Sequence, residues 1–492
     1  MQQVLCPQCG APVKFTSTAS VMAVCGACRS TLLKDAESVK HVGEMADVLE
    51  DYSPICLGAS GIYDKRRFTV VGRIQLRYDD GFWNEWYIWF DDGSDGWLSD
   101  ASGQYAVTHR RRAQSPLEFP TFFQIAPGAV FDLDGQHFIA SDIRSCRATG
   151  VQGELPFVPD TDGWEARVAD YRSLDAFLTL DYSDGDTPEV YVGHAFKIEG
   201  MDAASLRGDA LIEETAGRFR GQITALDCPN CGAPISFVAA MATQVVCPTC
   251  QAMVDCTEDT ARVIERQRKV KATQTTLALG AEATIDGTPY TLIGLLKCAD
   301  PDPEEPSDWV EYLLFSPKKG FLWLVESDEG WERVHVCDTW PSRNNSNSFN
   351  WRSKTYRKLY DYTSKVTLAL GAFNWRVKVG DTTQISDYES GNRKLTREEG
   401  LNDLGWSASV PVQPSSLAQW FGQPELASVT ASATRSSGDK DTYRSWAMRA
   451  SIAMLFLNLS DIFSIRILML IVGLILLWVP ASMADKFNGE GD

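Results

Sequence analysis

Near its start the chain reads Cys6-Pro7-Gln8-Cys9-Gly10, followed by Cys25-Gly26-Ala27-Cys28. The same pattern returns 222 residues later as Cys228-Pro229-Asn230-Cys231-Gly232 and Cys247-Pro248-Thr249-Cys250. Each set reads C-x2-C-x15-C-x2-C, which supplies the ligand number and spacing of a tetrahedral metal site. Because all four cysteines share one offset, the sequence predicts two metal-binding ribbons in a chain that arose by tandem duplication.

The duplication extends beyond the cysteines. Leu57-Gly58 returns as Leu279-Gly280 with the same offset. Four further positions also keep it: Phe68, Val70, Gly72 and Ile74 become Tyr290, Leu292, Gly294 and Leu296. Farther along, the offset drifts by a few residues, as expected of surface loops, which tolerate insertions.

The composition limits the function classes. The 492 residues carry a net charge of −19, so the chain as a whole repels nucleic acid, and nucleic-acid binding is the least favoured function. The N-terminal residues lack the basic and apolar regions of a signal peptide, which predicts a reducing cytoplasm where CxxC pairs bind metal. Eight of the thirteen cysteines belong to the quartets, and the others show no pairing pattern: Cys56, Cys146, Cys256, Cys298 and Cys337.

We expect the ribbons, at residues 1–34 and 223–256, to be structural zinc sites. Four thiolates leave no open position for water or substrate, which suits a structural ion better than a catalytic one. In the first turn, Pro7 stiffens the backbone and Gly10 permits a positive φ. Redox-active CxxC pairs and a rubredoxin-like iron site stay open as alternatives, since iron takes the same four thiolates. The expected cofactor is Zn²⁺, two ions per chain, with the ligands Cys6, Cys9, Cys25, Cys28, Cys228, Cys231, Cys247 and Cys250.

A charged connector follows each ribbon, at residues 35–54 and 257–276. We expect both connectors to be helical. The second is rich in arginine and lysine between residues 262 and 271. This pattern suits a solvated helix face better than a nucleic-acid contact.

The two larger segments, residues 55–215 and 277–426, are predicted to be β modules. Strands are expected at residues 68–71, 86–90, 290–293 and 311–315, which are rich in β-branched and aromatic side chains. Acidic-glycine turns bound the first two strands. Gly128-Ala129-Val130-Phe131 and Leu370-Gly371-Ala372-Phe373 echo the segment at Leu57-Gly58, which divides each module into two halves. The predicted fold class is mainly β, with small antiparallel barrels or sandwiches, up to four β units in all.

The order of motifs in the second module is similar to a known family. It runs Leu279-Gly280, Ile285-Asp286-Gly287, Tyr290, Leu292, Gly294, Trp309-Val310-Glu311-Tyr312-Leu313-Leu314-Phe315 and Trp323-Leu324. The first module matches more loosely, through Trp83-Asn84-Glu85-Trp86-Tyr87, Phe90 and Trp97-Leu98. These residues resemble the bacterial domain-of-unknown-function family 4178 over roughly residues 55–210 and 277–425. The resemblance implies ribbons and membrane segments, a membrane-stress or polyamine-linked system, and no catalytic residues.

The C-terminal region is predicted to reach a membrane. Residues 427–445 read as a flexible linker, and residues 446–485 as a transmembrane hairpin or a single span. Residues 467–484 run without a charge, which is within the length range of a membrane-spanning helix. Arg444 and Arg449 precede the segment and are expected to stay in the cytoplasm. We therefore expect an inner-membrane protein whose ribbons and β modules face the cytoplasm.

Catalytic motifs are not found in the sequence. The five histidines form no ligand-spaced pair, and Gly58-Ala59-Ser60-Gly61 lacks the complete nucleophile elbow. Acidic clusters at residues 91–95 and 300–305 are expected to be solvated turns. The basic stretches at residues 109–112 and 351–358 are expected to be solvated strands, with a phosphate or anionic-lipid contact as the alternative.

Three functions follow from these features. The first is a membrane-anchored adaptor that binds other proteins at the cytoplasmic face of the membrane. The aromatic strand at residues 83–90 is either its contact surface or a strand buried on both faces. The second is an enzyme or small-ligand sensor with an unrecognised site in the β modules, and the third is a zinc-ribbon nucleic-acid binder.

Overall fold

The computed structural model describes most of the chain up to residue 429. The described residues are 2–35, 38–44, 53–78, 81–101, 103–111, 118–158, 164–208, 211–212, 226–228, 230–231, 234–235, 244–247, 249–250, 252–255, 262–266, 275–302, 307–316, 319–373, 375 and 377–429. Within these ranges no helix has the length and apolar character needed to cross a membrane. The predicted membrane segment at residues 446–485 lies outside them, as does most of the predicted linker.

The first half of the chain is built almost entirely from strands. They are β1 (Gln2–Leu5), β2 (Pro12–Phe15), β3 (Met22–Val24), β4 (Ser30–Asp35), β5 (Ser38–Glu44), β6 (Ser60–Tyr63), β7 (Arg66–Tyr78), β8 (Gly81–Phe90), β9 (Asp95–Ala101), β10 (Gln104–Arg110), β11 (Val130–Leu133), β12 (Gln136–Leu155), β13 (Glu165–Ser173), β14 (Ala176–Asp181) and β15 (Glu189–Phe196). Short 3₁₀ turns lie at Phe122–Gln124, Ile198–Gly200 and Ala203–Ser205.

The second half repeats this plan. Its strands are β16 (Leu226–Asp227), β17 (Pro234–Ile235), β18 (Gln244–Val246), β19 (Ala252–Asp255), β20 (Arg262–Arg266), β21 (Glu282–Ile285), β22 (Thr288–Asp300), β23 (Ser307–Ser316), β24 (Gly320–Ser327), β25 (Gly330–Val336), β26 (Ser342–Asn345), β27 (Ser348–Trp351), β28 (Lys354–Phe373), β29 (Thr382–Ser390), β30 (Arg393–Glu399) and β31 (Leu404–Val412). Two helices follow, α1 (Pro414–Phe421) and α2 (Leu426–Val429). The first three residues of the predicted linker, 427–429, belong to α2.

Each β module is a single closed barrel of eight strands. In the first, the strand order is β7, β8, β9, β10, β15, β14, β13, β12, and β12 pairs back onto β7. In the second, the order is β22, β23, β24, β25, β31, β30, β29, β28, and β28 pairs back onto β22. The mainly-β prediction is confirmed. The expectation of up to four separate β units is wrong, because the two halves of each module belong to one ring of strands.

A long strand joins the halves of each barrel. Strand β12 has 20 residues, and it pairs in turn with β11, β13, β7 and β3 along its length. Strand β28 has the same length and pairs with β27, β29, β22 and β18. A strand this long changes partners because sheet twist carries its two ends to different neighbours. The last partner in each case is a ribbon strand, so each ribbon extends the sheet of its barrel.

Paired glycines allow each ring to close. Gly72 lies opposite Gly153 where β7 meets β12, and Gly294 lies opposite Gly371 where β22 meets β28. Gly153 and Gly371 have φ values of +72° and +88°. A Cβ atom on Gly371 would lie 2.3 Å from the Ile293 carbonyl oxygen, far inside van der Waals contact. The glycine match between the two copies therefore reflects a close approach of backbones that side chains would prevent.

The aromatic strand β8 is buried on both faces. Tyr87, with Trp83 and Trp89 beside it, packs in one apolar cluster. Trp86, Ile88 and Phe90 alternate with them and pack in another. The prediction that this strand is a contact surface is wrong, and the alternative of a strand buried on both faces is confirmed.

The predicted helical connectors contain strands where the structure describes them. In the first connector β5 pairs with β4, and in the second β20 pairs with β19. Both segments include β-branched residues, such as Val39 and Val263, and an adjacent strand edge was available for pairing. Tertiary pairing outweighed the helical tendency of the charged residues.

The two barrels contact each other along a seam. The Trp340 amide donates to the Leu174 carbonyl oxygen at 2.8 Å, and the Ile143 amide donates to the Asn402 carbonyl oxygen at 2.9 Å. Arg144 and Asp403 form an ion pair across the seam at 3.0 Å. The helices α1 and α2 belong to a second, smaller compact unit.

Candidate metal centres

The first four-cysteine cluster joins two turns of the first ribbon. Cys6 and Cys9 flank the turn after β1, and Cys25 and Cys28 flank the turn after β3. The Sγ atoms of Cys6 and Cys28 are 3.6 Å apart, and those of Cys9 and Cys25 are 3.7 Å apart. A metal–sulfur bond of about 2.3 Å gives a tetrahedron whose sulfurs are about 3.8 Å apart. The cluster therefore has the dimensions of a tetrahedral metal site.

The second cluster has the same geometry. The Sγ atoms of Cys228 and Cys250 are 3.6 Å apart, and those of Cys231 and Cys247 are 3.8 Å apart. In each cluster all four sulfurs lie within 4.8 Å of one another. The first and third cysteines are buried, the second is exposed and the fourth is intermediate in both copies. The structure brings together all eight predicted ligands as two sites able to hold a metal ion.

The sulfurs are arranged for a metal and are not joined in pairs. A disulfide requires a sulfur–sulfur distance of about 2.0 Å, and all eight cysteines are free thiols. The first turn closes through the Gly10 amide, which donates to the Cys6 carbonyl oxygen at 2.8 Å, with Gly10 at a φ of +74°. This is the positive φ that the sequence predicted for Gly10. Arg29 takes the corresponding place after Cys28, with a φ of +64°.

One polar side chain supports the fourth sulfur of each cluster. The Ser30 hydroxyl lies 3.2 Å from the Cys28 sulfur and lowers the pKa of that thiol to about 6. In the second cluster burial raises the pKa of Cys250, but the Asn230 amide, which donates to its sulfur at 3.3 Å, contributes to a net fall to about 6. A thiolate at neutral pH is the form that binds a metal. Sequence reasoning missed both residues, because neither is repeated in the other copy.

The first ribbon is attached to its barrel by hydrogen bonds. In the short pairing of β3 with β12, Ala23 lies opposite Glu154. The carboxylate of Glu154 accepts hydrogen bonds from the amides of Thr16 and Ser17, at 2.5 and 3.0 Å. Glu154 is only 4% exposed, so this carboxylate is a buried link between ribbon and barrel.

The second ribbon shares its core with its barrel. Cys228 and Cys247 belong to one buried apolar cluster with Ile293, Leu313 and Phe373 of the barrel. A metal bound by these cysteines would cross-link the ribbon at the place where the ribbon packs on the barrel. This arrangement is typical of a structural ion.

A second set of polar groups is enclosed by the barrels. In the first barrel Glu85 accepts hydrogen bonds from Trp83 Nε1 at 2.9 Å and from the Ser99 hydroxyl at 2.8 Å. In the second barrel Glu311 accepts one from Trp309 Nε1 at 2.7 Å. Sequence reasoning missed the burial of these two carboxylates, although the Trp-x-Glu pattern is repeated in the two modules.

Burial changes the ionisation of these carboxyl groups. Burial raises the pKa of Glu85 to about 8, against hydrogen bonds from Ser99 and Trp83, and the charges of Asp170 and Asp100 raise it further. Burial likewise raises the pKa of Glu311. A second repeated pair supports the similarity of the barrels: Thr179 donates to Asp170 and Thr396 donates to Asp387, both at 2.6 Å. Each barrel therefore holds interacting carboxyl groups from several strands.

Comparison with known proteins identifies the barrels. The model of the family described as "Domain of unknown function (DUF4178)" matches residues 56–197 and 278–414. No curated protein and no solved structure matches the chain. The two matched segments make up more than half of the chain, and each follows one of the four-cysteine clusters. The chain therefore belongs to the DUF4178 family and carries two tandem copies of its domain.

Proposed function

We propose that the chain is a zinc-stabilised adaptor, held at the cytoplasmic face of the inner membrane, that binds other proteins. The observation that carries this proposal is the closed set of four sulfurs packed into each unit. Such a set has no free coordination position, and in the second unit two ligands are part of the barrel core. A site of this kind stabilises a binding surface and does not process a substrate.

Zinc is the metal that best suits these sites. Four cysteine thiolates in a tetrahedron are typical of zinc or of iron. Zinc supports a fold without redox chemistry. Metal analysis of the purified full chain distinguishes the two, since zinc and iron are counted separately.

The contact surface of the adaptor must lie elsewhere than β8, because β8 is buried. Two large apolar side chains stand out by their exposure: Phe123 is 83% exposed and Leu401 is 90% exposed. Phe123 lies in the 3₁₀ turn Phe122–Gln124, and Leu401 lies between β30 and β31. Exposed aromatic and aliphatic side chains on rigid scaffolds are frequent contact residues.

Affinity purification of the full chain from detergent-solubilised membranes tests the adaptor. We expect a stoichiometric partner protein in the wild type and its loss in Phe123→Ser or Leu401→Ser. Val379→Ser is the matched control, because Val379 is also exposed, at 43%, and removal of its side chain should leave the partner in place. A chain that purifies without any stoichiometric protein contradicts the proposal.

The membrane anchor rests on the uncharged run at residues 467–484. Its length suits one crossing of the bilayer, and the preceding arginines favour a cytoplasmic location of the domains. Deletion of residues 446–485 should release the chain from membranes that resist extraction at high pH. Continued membrane association of this deletion would show that the anchor lies elsewhere.

A sensor of small cations is the second candidate function. The carboxyl groups enclosed by each barrel favour it, since Glu311 and Asp387 both interact with Glu398. The resemblance to the family adds a link to polyamines, which are small cations. Titration of the full chain with spermidine, with Glu311→Gln as the comparison, tests this candidate. Binding that Glu311→Gln abolishes would favour a sensor over an adaptor.

A further inference from the structure

A group of basic side chains gathers at one end of the second barrel, beside the seam with the first. We call it the basic end and define it as Lys197, Arg333, His335, Arg352 and Arg393. Strands β25 and β30 supply Arg333, His335 and Arg393, and the turn between β27 and β28 supplies Arg352. Lys197 follows β15 of the first barrel. Five separate positions in the sequence thus meet in one place.

The turn that carries Arg352 has a strained backbone. Arg352 and Ser353 have φ values of +46° and +62°, a two-residue turn that usually takes asparagine and glycine. The Arg352 guanidinium lies over the Trp351 ring, 4.5 Å from its centroid. Trp351 is buried and donates from Nε1 to the Thr339 carbonyl oxygen at 2.8 Å. Non-glycine residues held in this backbone region are concentrated at functional sites.

Two carboxylates among the described residues form ion pairs with side chains of the basic end. Asp338 is contacted by Arg352 at 3.2 Å and by Lys197 at 3.7 Å, one cation on each carboxylate oxygen. Asp286 pairs with Arg333 at 2.7 Å. Among the described residues, the four lysine and arginine side chains of the basic end outnumber these two carboxylates, in a chain whose net charge is −19.

The imidazole of His335 reports the local excess of positive charge. Burial lowers the pKa of His335, and the charges of Arg352, Arg333 and Arg393 lower it further, while the charge of Asp338 raises it. The charges of three guanidinium groups thus act on one ring. The side chain of Arg352 is 53% exposed and that of Lys197 is 73% exposed, so an incoming anion has access to both.

We propose that the basic end binds the phosphate groups of anionic membrane lipids. Guanidinium groups match phosphate oxygens in shape and charge. The proposal rests on the membrane anchoring proposed above, which would bring this surface close to lipid headgroups. A long nucleic acid is a poorer fit, because the rest of the chain repels an extended polyanion. Contact with lipid would fix the orientation of the two barrels on the membrane.

Hydrogen exchange of the full chain in lipid nanodiscs tests this contact. One set of discs contains phosphatidylcholine alone, and the other contains phosphatidylcholine with phosphatidylglycerol. We expect slower exchange at the amides of β27 and of the first residues of β28 only in the anionic discs. Arg352→Gln and Arg393→Gln should each weaken this protection about fivefold, the effect of one basic residue near an anionic surface.

Lys365→Gln is the matched control. Lys365 lies on β28, eleven residues beyond Lys354, the first residue of that strand. This separation is about 36 Å at 3.3 Å per residue. Lys365→Gln also removes one positive charge, but at a site far from the basic end, and it should keep the protection. Arg352→Gln retains a long polar side chain at the turn, and unchanged exchange in the neutral discs shows that each variant is folded.

Other outcomes overturn the proposal or separate it from the anchor. Equal exchange in the two kinds of disc overturns the proposal. It is also overturned if an added phosphopeptide or oligonucleotide slows exchange in the neutral discs while phosphatidylglycerol has no effect. A chain that enters neither disc refutes the anchor instead. In that case flotation with phosphatidylglycerol vesicles tests the basic end by itself, and failure to float overturns it.

Discussion

Gly371→Ala should separate strands β22 and β28, where the second barrel closes. The φ of +88° at this position costs a non-glycine residue about 1–2 kcal/mol. The new Cβ would also lie 2.3 Å from the Ile293 carbonyl oxygen and 3.0 Å from the Gly294 Cα. These are backbone atoms, which cannot rotate away, so the strands must separate. Overpacking of this kind costs a further 1–3 kcal/mol or so.

Gly280→Ala separates the two contributions. Gly280 has a similar φ of +81°, but no atom lies within 4 Å of the position of its Cβ. Gly280→Ala should therefore lower the stability only by the cost of the positive φ, about 1–2 kcal/mol. The smaller entropic gain of replacing glycine with alanine in the unfolded chain applies to both variants and cancels in the comparison. The difference of about 1–3 kcal/mol measures the close approach of β22 and β28.

The assay is hydrogen exchange at increasing urea concentration on the full, metal-loaded chain in detergent. Exchange at the amides of β28 gives the free energy of opening the second barrel, and exchange at β12 serves as an internal reference for the first. Gly371→Ala should lower the free energy of opening the second barrel and leave that of the first barrel unchanged. Gly153→Ala should lower the free energy of opening the first barrel and leave that of the second unchanged. Equal losses in Gly371→Ala and Gly280→Ala would refute the idea that glycine is required for barrel closure.

Three further predictions concern the ribbons and the enclosed carboxyl groups. The purified chain should hold two metal ions by elemental analysis, and the double variant Cys231→Ser with Cys247→Ser should hold one; two ions in that variant would contradict the assignment. Glu154→Gln should destabilise the attachment of the first ribbon by about 1.5–3 kcal/mol, because it removes one charge-assisted acceptor, and exchange of the amides between β2 and β3 should rise while the second ribbon stays unchanged. The pKa of Glu85 is raised in the folded state to about 8, so the folded state holds a proton that the unfolded chain has lost above about pH 4.5, and stability should fall as pH rises from about 4.5 to 8. Glu85→Gln imitates the protonated form and should flatten this dependence for the first barrel in urea titrations; an unchanged slope would show that other groups control it.

The metal sites could be predicted from the sequence, but their surroundings could not. Four cysteines at fixed short spacings can reach one ion whatever the rest of the chain does, so Cys6 and its partners were identified by pattern alone. Ser30 and Asn230 support the fourth sulfurs from different positions in the two ribbons, and neither is repeated. The enclosed Glu85 was similarly hidden, because a carboxylate in an aromatic strand has the same pattern whether it faces solvent or a barrel interior.

The sequence by itself determined the duplication, the eight cysteines of the two clusters, the mainly-β class and the family, because these depend on residue types at short or repeated spacings. The tertiary structure decided that each module is one closed barrel, that β8 is buried on both faces, and that the connectors form strands. The connector strands pair with the strand just before them, β5 with β4 and β20 with β19. The closed barrels and the burial of β8 instead depend on contacts between segments far apart in the chain, such as Gly153 with Gly72. The basic end has the same origin, since Lys197 and Arg352 approach each other only through Asp338 at the seam of the two barrels. Local spacing carries no information about such encounters, because they are set by how the long strands β12 and β28 change partners along their length.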